Sequence, residues 1–194
     1  LHQKCRTVNQ PLAVTQQEFL THEYPKLLCS FWDASHLTTN VWNKLYHRNL
    51  LSNLPDSLNV EKIFWGDDQV LNLYLLENCD NALFIPDVLY AYRQFSGSTN
   101  QFSLRTMHDL DAIKRYQQIF LNRYQGTGKD KMQNILYSEV AGWFYVYVQQ
   151  GLTHLKEDQL KELITDTLCL PNFQLARKYY IHESSESWPE AVSN

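Results

Sequence analysis

Phe64-Trp65-Gly66-Asp67-Asp68-Gln69-Val70-Leu71-Asn72-Leu73 is the stretch from which the rest of the chain takes its meaning. A glycine and two adjacent carboxylates precede a run that is apolar nearly all round, through Val70, Leu71, Leu73, Tyr74, Leu75 and Leu76. That pattern predicts a helix, buried on most sides, over about 68–79. Asp67 and Asp68 fall where it starts, and unpaired N–H groups and the helix dipole favour negative charge there. Read alone, the pair is a polar cap on a core helix.

The flanks extend the helical reading. Thr15-Gln16-Gln17-Glu18 is a capping-box pattern, so a helix is expected from Thr15 toward Tyr24, with Pro25 as its stop. Trp42, Leu45, Tyr46 and Asn49 recur at helical spacing and predict an amphipathic helix over 41–51. Ala82–Ile85 and the alternating Val88–Gln94 read as strands, with another short strand about 28–34. Beyond a turn at 96–100, apolar spacing predicts helices over 104–124, 130–150, 155–168 and 174–181, punctuated by Gly126-Thr127-Gly128, Gly151 and Pro171. The expected fold is α+β and predominantly helical: a small incomplete sheet covered by helices, followed by a C-terminal helical bundle. The division expected is 1–100, 101–182 for the bundle, and a polar tail at 183–194.

Composition excludes several function classes. The chain has 194 residues and a net charge of −4, which gives no electrostatic argument for nucleic acid. No stretch approaches the roughly 18–20 continuous apolar residues of a membrane span. The four cysteines, Cys5, Cys29, Cys79 and Cys169, are dispersed and read as reduced thiols, and the histidines show no metal-binding spacing. The start, Leu-His-Gln-Lys-Cys-Arg, is too polar for a signal peptide and lacks an initiator Met, so the chain is read as a piece of a longer one.

Two bare motif matches carry no chemistry. Asp109-Leu110-Asp111 has the spacing of a metal-holding DxD but lies in a helical pattern, where residues two apart point about 200° from each other. Gly126-Thr127-Gly128-Lys129 lacks the GxxxxGK[ST] spacing of a phosphate loop and reads as an interhelix turn.

Three segments in fixed order carry a more specific signal. They are Val41-Trp42-Asn43-Lys44-Leu45-Tyr46-His47-Arg48, then Gly66-Asp67-Asp68, then Tyr90-Ala91-Tyr92-Arg93 leading into Gly97-Ser98-Thr99. With Ala82-Leu83-Phe84-Ile85-Pro86 between them, residues 38–100 resemble the C-terminal half of family 2 glycosyltransferases of the GT-A fold. Those proteins carry a WNKLYRR-like segment, an ED at a helix start and a YxYR strand before a GSxT-like turn.

The resemblance implies an inverting transfer of a sugar from a nucleotide-diphosphate donor to an acceptor hydroxyl, in bacterial-type cell-surface polysaccharide or lipopolysaccharide synthesis. The aspartate of the ED motif falls on Asp68 and would be the base. Asp67, the second catalytic residue the resemblance implies, stands where the family has Glu, a shorter side chain of the same charge, and two adjacent carboxylates tend to raise the pKa of one. Arg93, Lys44 and Trp42 would be substrate-binding, the two cations by countering phosphate or holding the acceptor. Tyr90 and Tyr92 are expected to pack in the core.

The nucleotide-binding half, with its strands and DxD, has no counterpart in this stretch. The stretch alone is therefore expected to be inert and to hold no cofactor. A divalent metal (Mg or Mn), a nucleotide sugar and a glycan or lipid-linked acceptor belong to the complete enzyme. The implied location is cytoplasmic, with the inner face of the membrane as the workplace of many relatives. An exposed strand edge and apolar face would invite a homodimer. The alternative reading is a non-catalytic helical protein-interaction module, presenting Trp143, Tyr145 and Tyr147 as an exposed patch.

Overall fold

The computed structural model describes residues 6–30, 35–55, 63, 66–91 and 102–183. Strand β1 (Leu12–Thr15) leads into α1 (Gln16–Glu18), a single wide turn (Phe19–Glu23) and α2 (Pro25–Leu28). A 3₁₀ turn (Arg48–Asn53) precedes α3 (Asp67–Leu76) and β2 (Asn81–Phe84). Four helices follow: α4 (Thr106–Arg123), α5 (Lys129–His154), α6 (Glu157–Cys169) and α7 (Pro171–Glu183). The fold is α+β and mostly helical, with a two-stranded antiparallel sheet pairing Leu12 with Phe84 and Thr15 with Asn81.

The capping box at Thr15 is present. The Glu18 amide bonds the Thr15 hydroxyl at 3.4 Å, and the Glu18 carboxylate accepts from the Thr15 amide at 2.8 Å. The Thr15 amide foremost, and then the Thr15 hydroxyl donating to the same carboxylate at 2.9 Å, lower the Glu18 pKa. Pro25 does not stop the helix. The chain widens instead, with the Tyr24 amide reaching back five residues to Phe19 O, and Pro25 then takes the first position of α2, where its missing N–H costs nothing.

Three hydrophobic clusters hold the helices together. The largest gathers Phe19, Leu27 and Leu28 with Leu73 of α3, Phe120 of α4 and Met132 of α5. Each such side chain contributes about 1.5–3 kcal/mol by leaving water. Val70 meets Ile113 in the second cluster, and Met107, Tyr147 and Leu163 join α4, α5 and α6 in the third. Helix α5 does not end at Gly151. It continues to His154, and the glycine lets α6 approach, since a Cβ there would meet Leu160 at 2.9 Å. Pro171 likewise opens α7 rather than only breaking the chain.

Several expected elements differ. No helix spans 41–51: residues 41–43 form a turn and only Arg48–Asn53 is helical, as 3₁₀. Polar side chains explain this by offering the backbone local partners that compete with a helical ladder. Thr38 and Asn43 bond each other, Lys44 Nζ bonds Asn40 O, and the His47 ring accepts from the Asn49 amide. The expected strand at 28–34 is helix α2 at its start, its residues 31–34 lying outside the described ones. Residues 85–91 belong to no strand, and β2 pairs instead with β1, in a stretch that shows no period in the sequence.

Of the helical aromatics, Tyr147 is buried, Trp143 is half-buried against the third cluster, and Tyr145 is exposed. Tyr147 and Trp143 are thus core side chains, and the three form no continuous exposed patch. The larger apolar exposure lies along Leu83, Ile85, Val88 and Leu89 beside the sheet. No helix among the described residues is long and apolar enough to cross a membrane.

Buried phenols make the fold sensitive to alkali. Burial pushes the Tyr147 hydroxyl up to about 12, with Asp109 adding to the shift, and burial raises Tyr24 and Tyr46 as well. A raised acid keeps its stabilising effect below its unfolded pKa of about 10 and loses it as pH rises toward the folded value. Stability is therefore expected to be level with respect to these phenols up to about pH 9.5 and to fall between about pH 10 and 12. Thermal melts alongside NMR titration of the Tyr24, Tyr46 and Tyr147 rings check this; ionisation of these three phenols near pH 10 in the folded chain would contradict it.

Candidate functional site

The start of α3 is fixed by Gly66. Its φ of 90° is left-handed, and a Cβ there would collide with the Ile113 side chain, so both backbone conformation and packing require glycine. Gly66 O accepts from the amides of Gln69 at 3.1 Å and Val70 at 3.4 Å. Asp67 and Asp68 follow in the first turn, Asp67 exposed and Asp68 half-buried. In the same turn Gln69 is buried, donating to Leu27 O at 3.0 Å and to Ser30 Oγ at 3.2 Å.

A loop from residues 35 to 47 closes over this helix start. Asp68 Oδ2 accepts from the Val41 amide at 3.2 Å. One turn later, fully buried Asn72 donates to Thr39 O at 2.7 Å and to Asp68 O at 2.9 Å, and accepts from the Tyr46 hydroxyl at 2.6 Å. The Tyr46 hydroxyl is raised chiefly by burial and next by the Asp68 charge, so it donates as a neutral phenol. At its near end the loop is gathered by Glu23, a buried carboxylate. It accepts from Ser35 Oγ at 2.7 Å, the His36 amide at 2.6 Å and the Leu37 amide at 3.2 Å, with the His36 ring at 2.8 Å.

The residues singled out in the sequence divide as follows. Asp68 is joined to the Trp-Asn-Lys loop through Val41, and Asp67 precedes it on the same turn. Trp42 is 40% exposed and stacks on Tyr90, which is 50% exposed, with ring centroids 5.0 Å apart. Tyr90 is therefore not the core residue its alternation predicted, because its segment has no sheet to pack into. Lys44 Nζ bonds Thr38 Oγ1 at 3.0 Å and Asn43 Oδ1 at 2.8 Å, bracing the loop's own turn. Arg93, Tyr92 and the Gly97-Ser98-Thr99 turn lie outside the described residues.

Sequence reasoning missed Asn72 and Glu23. The signal for Asn72 was present as an amide four residues after Asp68 inside an apolar run, where a polar group needs a built partner. Glu23 gave none, since its partners are a dozen residues away. Asp109 and Asp111 diverge as the helical spacing predicts. Asp109 pairs with Arg105 at 3.2 Å, and Asp111 accepts from the Asn172 amide at 3.0 Å, tying α4 to α7. Among the described residues no group of three or more His, Cys, Asp or Glu is placed to hold a metal ion.

Chemically, Asp68 is a half-exposed carboxylate with one oxygen engaged and Oδ1 unbonded among the described residues. It is suited to accept a proton from a hydroxyl brought to the helix start. Asn72→Leu is expected to cost about 1–3 kcal/mol by leaving Tyr46 and Thr39 O unpaired, with the helices retained. Amide exchange at Val41 should quicken well beyond the change at α5; unchanged protection there would remove Asn72 from this role.

No protein-family model matches the chain, and neither a curated protein nor a solved structure shows significant similarity to it.

Proposed function

We propose that the chain is the acceptor side of an inverting glycosyltransferase, one that moves a sugar from a nucleotide-diphosphate donor to a hydroxyl of a glycan or lipid-linked acceptor. The reading extends to bacterial-type cell-surface polysaccharide or lipopolysaccharide synthesis, at the cytoplasmic side of a membrane. The observation that carries it is the Val41 amide held at 3.2 Å by Asp68, which joins two motif segments through residues 27 apart in the sequence. The Trp42–Tyr90 stack adds the third segment to the same place.

In this reading Asp68 Oδ1 takes the proton of the acceptor hydroxyl as its oxygen attacks the anomeric carbon. The new C–O bond forms on the face opposite the departing nucleoside diphosphate, which leaves with the bonding electron pair, so the configuration inverts. Gly66 and Asn72 are positioning residues that fix the carboxylate and the loop. The donor, and the Mg or Mn that would accompany it, belong to a nucleotide-binding part outside residues 1–194, and no step above passes through the metal.

The test is transfer by the complete protein, with uridine-, guanosine- and thymidine-diphosphate sugars and glycan or lipid-linked acceptors. The expected result is acceptor-dependent release of nucleoside diphosphate with an inverted product anomer by NMR. Retention of configuration, or no release with any donor and acceptor pair, would reject the reading.

A further inference from the structure

We propose that Trp42 and Tyr90 together form a stacking platform that seats one pyranose ring of the acceptor glycan beside Asp68; this rests on the glycosyl-transfer reading above. The two rings come from separate segments, the loop over α3 and the irregular segment after β2, yet stack at 5.0 Å with 30° between their planes. Both are large aromatics the core does not absorb, at 40% and 50% exposure. The Trp42 backbone is held in place before any ligand arrives. Its neighbour Val41 bonds Asp68, Thr39 O is bonded by Asn72, and Lys44 closes the turn through Thr38 and Asn43. Binding to such a platform orders few groups, so little affinity is lost to entropy.

The ligand class follows from the chemistry of the two sides. A pyranose has a face of C–H bonds, whose partial positive charge suits the negative face of an aromatic ring, and a rim of hydroxyls that needs polar partners. Asp68, bonded to the amide of Val41 next in sequence to Trp42, supplies that polar side. A nucleotide base would also stack on such rings and is a competing occupant, to be tested beside the sugars with uridine and uridine diphosphate. Exposed Val88 and Leu89 flank the platform, so a second copy of the chain is another competing occupant, to be separated by experiment.

The experiment is saturation-transfer NMR on the full chain with a panel of α- and β-linked gluco-, galacto- and N-acetylglucosamine trisaccharides, with sedimentation run in parallel. The expected result is saturation concentrated on the C–H protons of one ring. Tyr90→Ala and Trp42→Ala should weaken binding at least tenfold, and Tyr90→Phe should retain it. In the complete enzyme Tyr90→Ala should raise the acceptor KM with kcat largely kept. No saturation with any sugar, saturation indifferent to Tyr90→Ala, or a dimer that Tyr90→Ala dissolves would each overturn the platform. Asp68-dependent transfer with an unchanged acceptor KM in Tyr90→Ala would overturn the platform alone. Tyr90-dependent sugar binding without any transfer would keep the platform and remove the glycosyltransferase reading.

Discussion

Asp68→Asn is expected, on the proposed glycosyl transfer, to lower turnover by the complete protein by about 10²–10⁴-fold, the usual worth of a positioned general base, while donor binding is retained. The substitution is nearly isosteric. An Asn side-chain oxygen can still accept the Val41 amide that Asp68 Oδ2 holds at 3.2 Å, and the Asp68 main-chain carbonyl still accepts from Asn72. The loop should therefore stay docked. Removing one charge from the first turn of α3 costs about 0.3–1 kcal/mol in dipole interaction, too little to unfold the chain. Asp68→Ala goes further and removes the loop's anchor as well, so it should lose both turnover and stability. The pair of variants separates the proton acceptor from the structural cap. Asp67→Asn, on an exposed carboxylate that bonds none of the described loop residues, should change the rate by less than about tenfold, well below the general-base range. Measured turnover numbers and donor affinities decide among these outcomes. Full turnover by Asp68→Asn would return Asp68 to its plainer reading as a helix cap.

The start of α3 was legible because its causes are local. A glycine, two acids and an apolar run specify a helix terminus within a few residues, and Thr15 with Glu18 specifies another. The long helices α4 and α5 were legible from their spacing, although not the C-terminal end of α5, since Gly151 serves a contact with α6 that the sequence does not display. The 41–51 segment was misread because its apolar residues fall at helical intervals while their partners lie elsewhere. Tyr46 bonds Asn72, Trp42 stacks on Tyr90, and the Val41 amide goes to Asp68. Tertiary partners outweigh a short periodic signal of this kind. Strand β1 was missed for the same reason in reverse: four residues without a pattern become a strand only because Asn81–Phe84 lies beside them. In the site, the carboxylates were visible in the sequence. The frame that holds them, Asn72 and Glu23, was not, because each acts through backbone groups of a loop that sequence spacing does not locate.

The largest stability effect is expected at Lys114. Its ammonium and the Glu139 carboxylate form an ion pair at 2% and 0% exposure, between α4 and α5. Lys114 also donates to Gln117 Oε1 at 2.8 Å, and Gln117 donates in turn to Leu27 O at 2.8 Å, the same carbonyl that receives Gln69 from α3. The polar chain thus runs from the centre of the helical packing to the turn that bears Asp68. Lys114→Met leaves a carboxylate buried without this cation and should cost about 3–5 kcal/mol, because desolvation of the remaining charge is no longer offset. In a chain of this size that corresponds to a fall in Tm of about 6–20 °C. Adding Glu139→Leu removes the stranded charge. The double variant should then be at least as stable as Lys114→Met alone, with a coupling of about 1–3 kcal/mol between the sites. Losses that simply add would show that the pair is not energetically coupled and that its geometry carries no specific weight. The cycle also bears on the site. If the pair holds α3 through Gln117 and Leu27, Lys114→Met should quicken amide exchange at Gln69 and Val70 before α6 is affected. The double variant should restore that protection only as far as it restores the packing of α4 on α5, because Gln117 has then lost its donor from Lys114 and keeps only its own bond to Leu27 O.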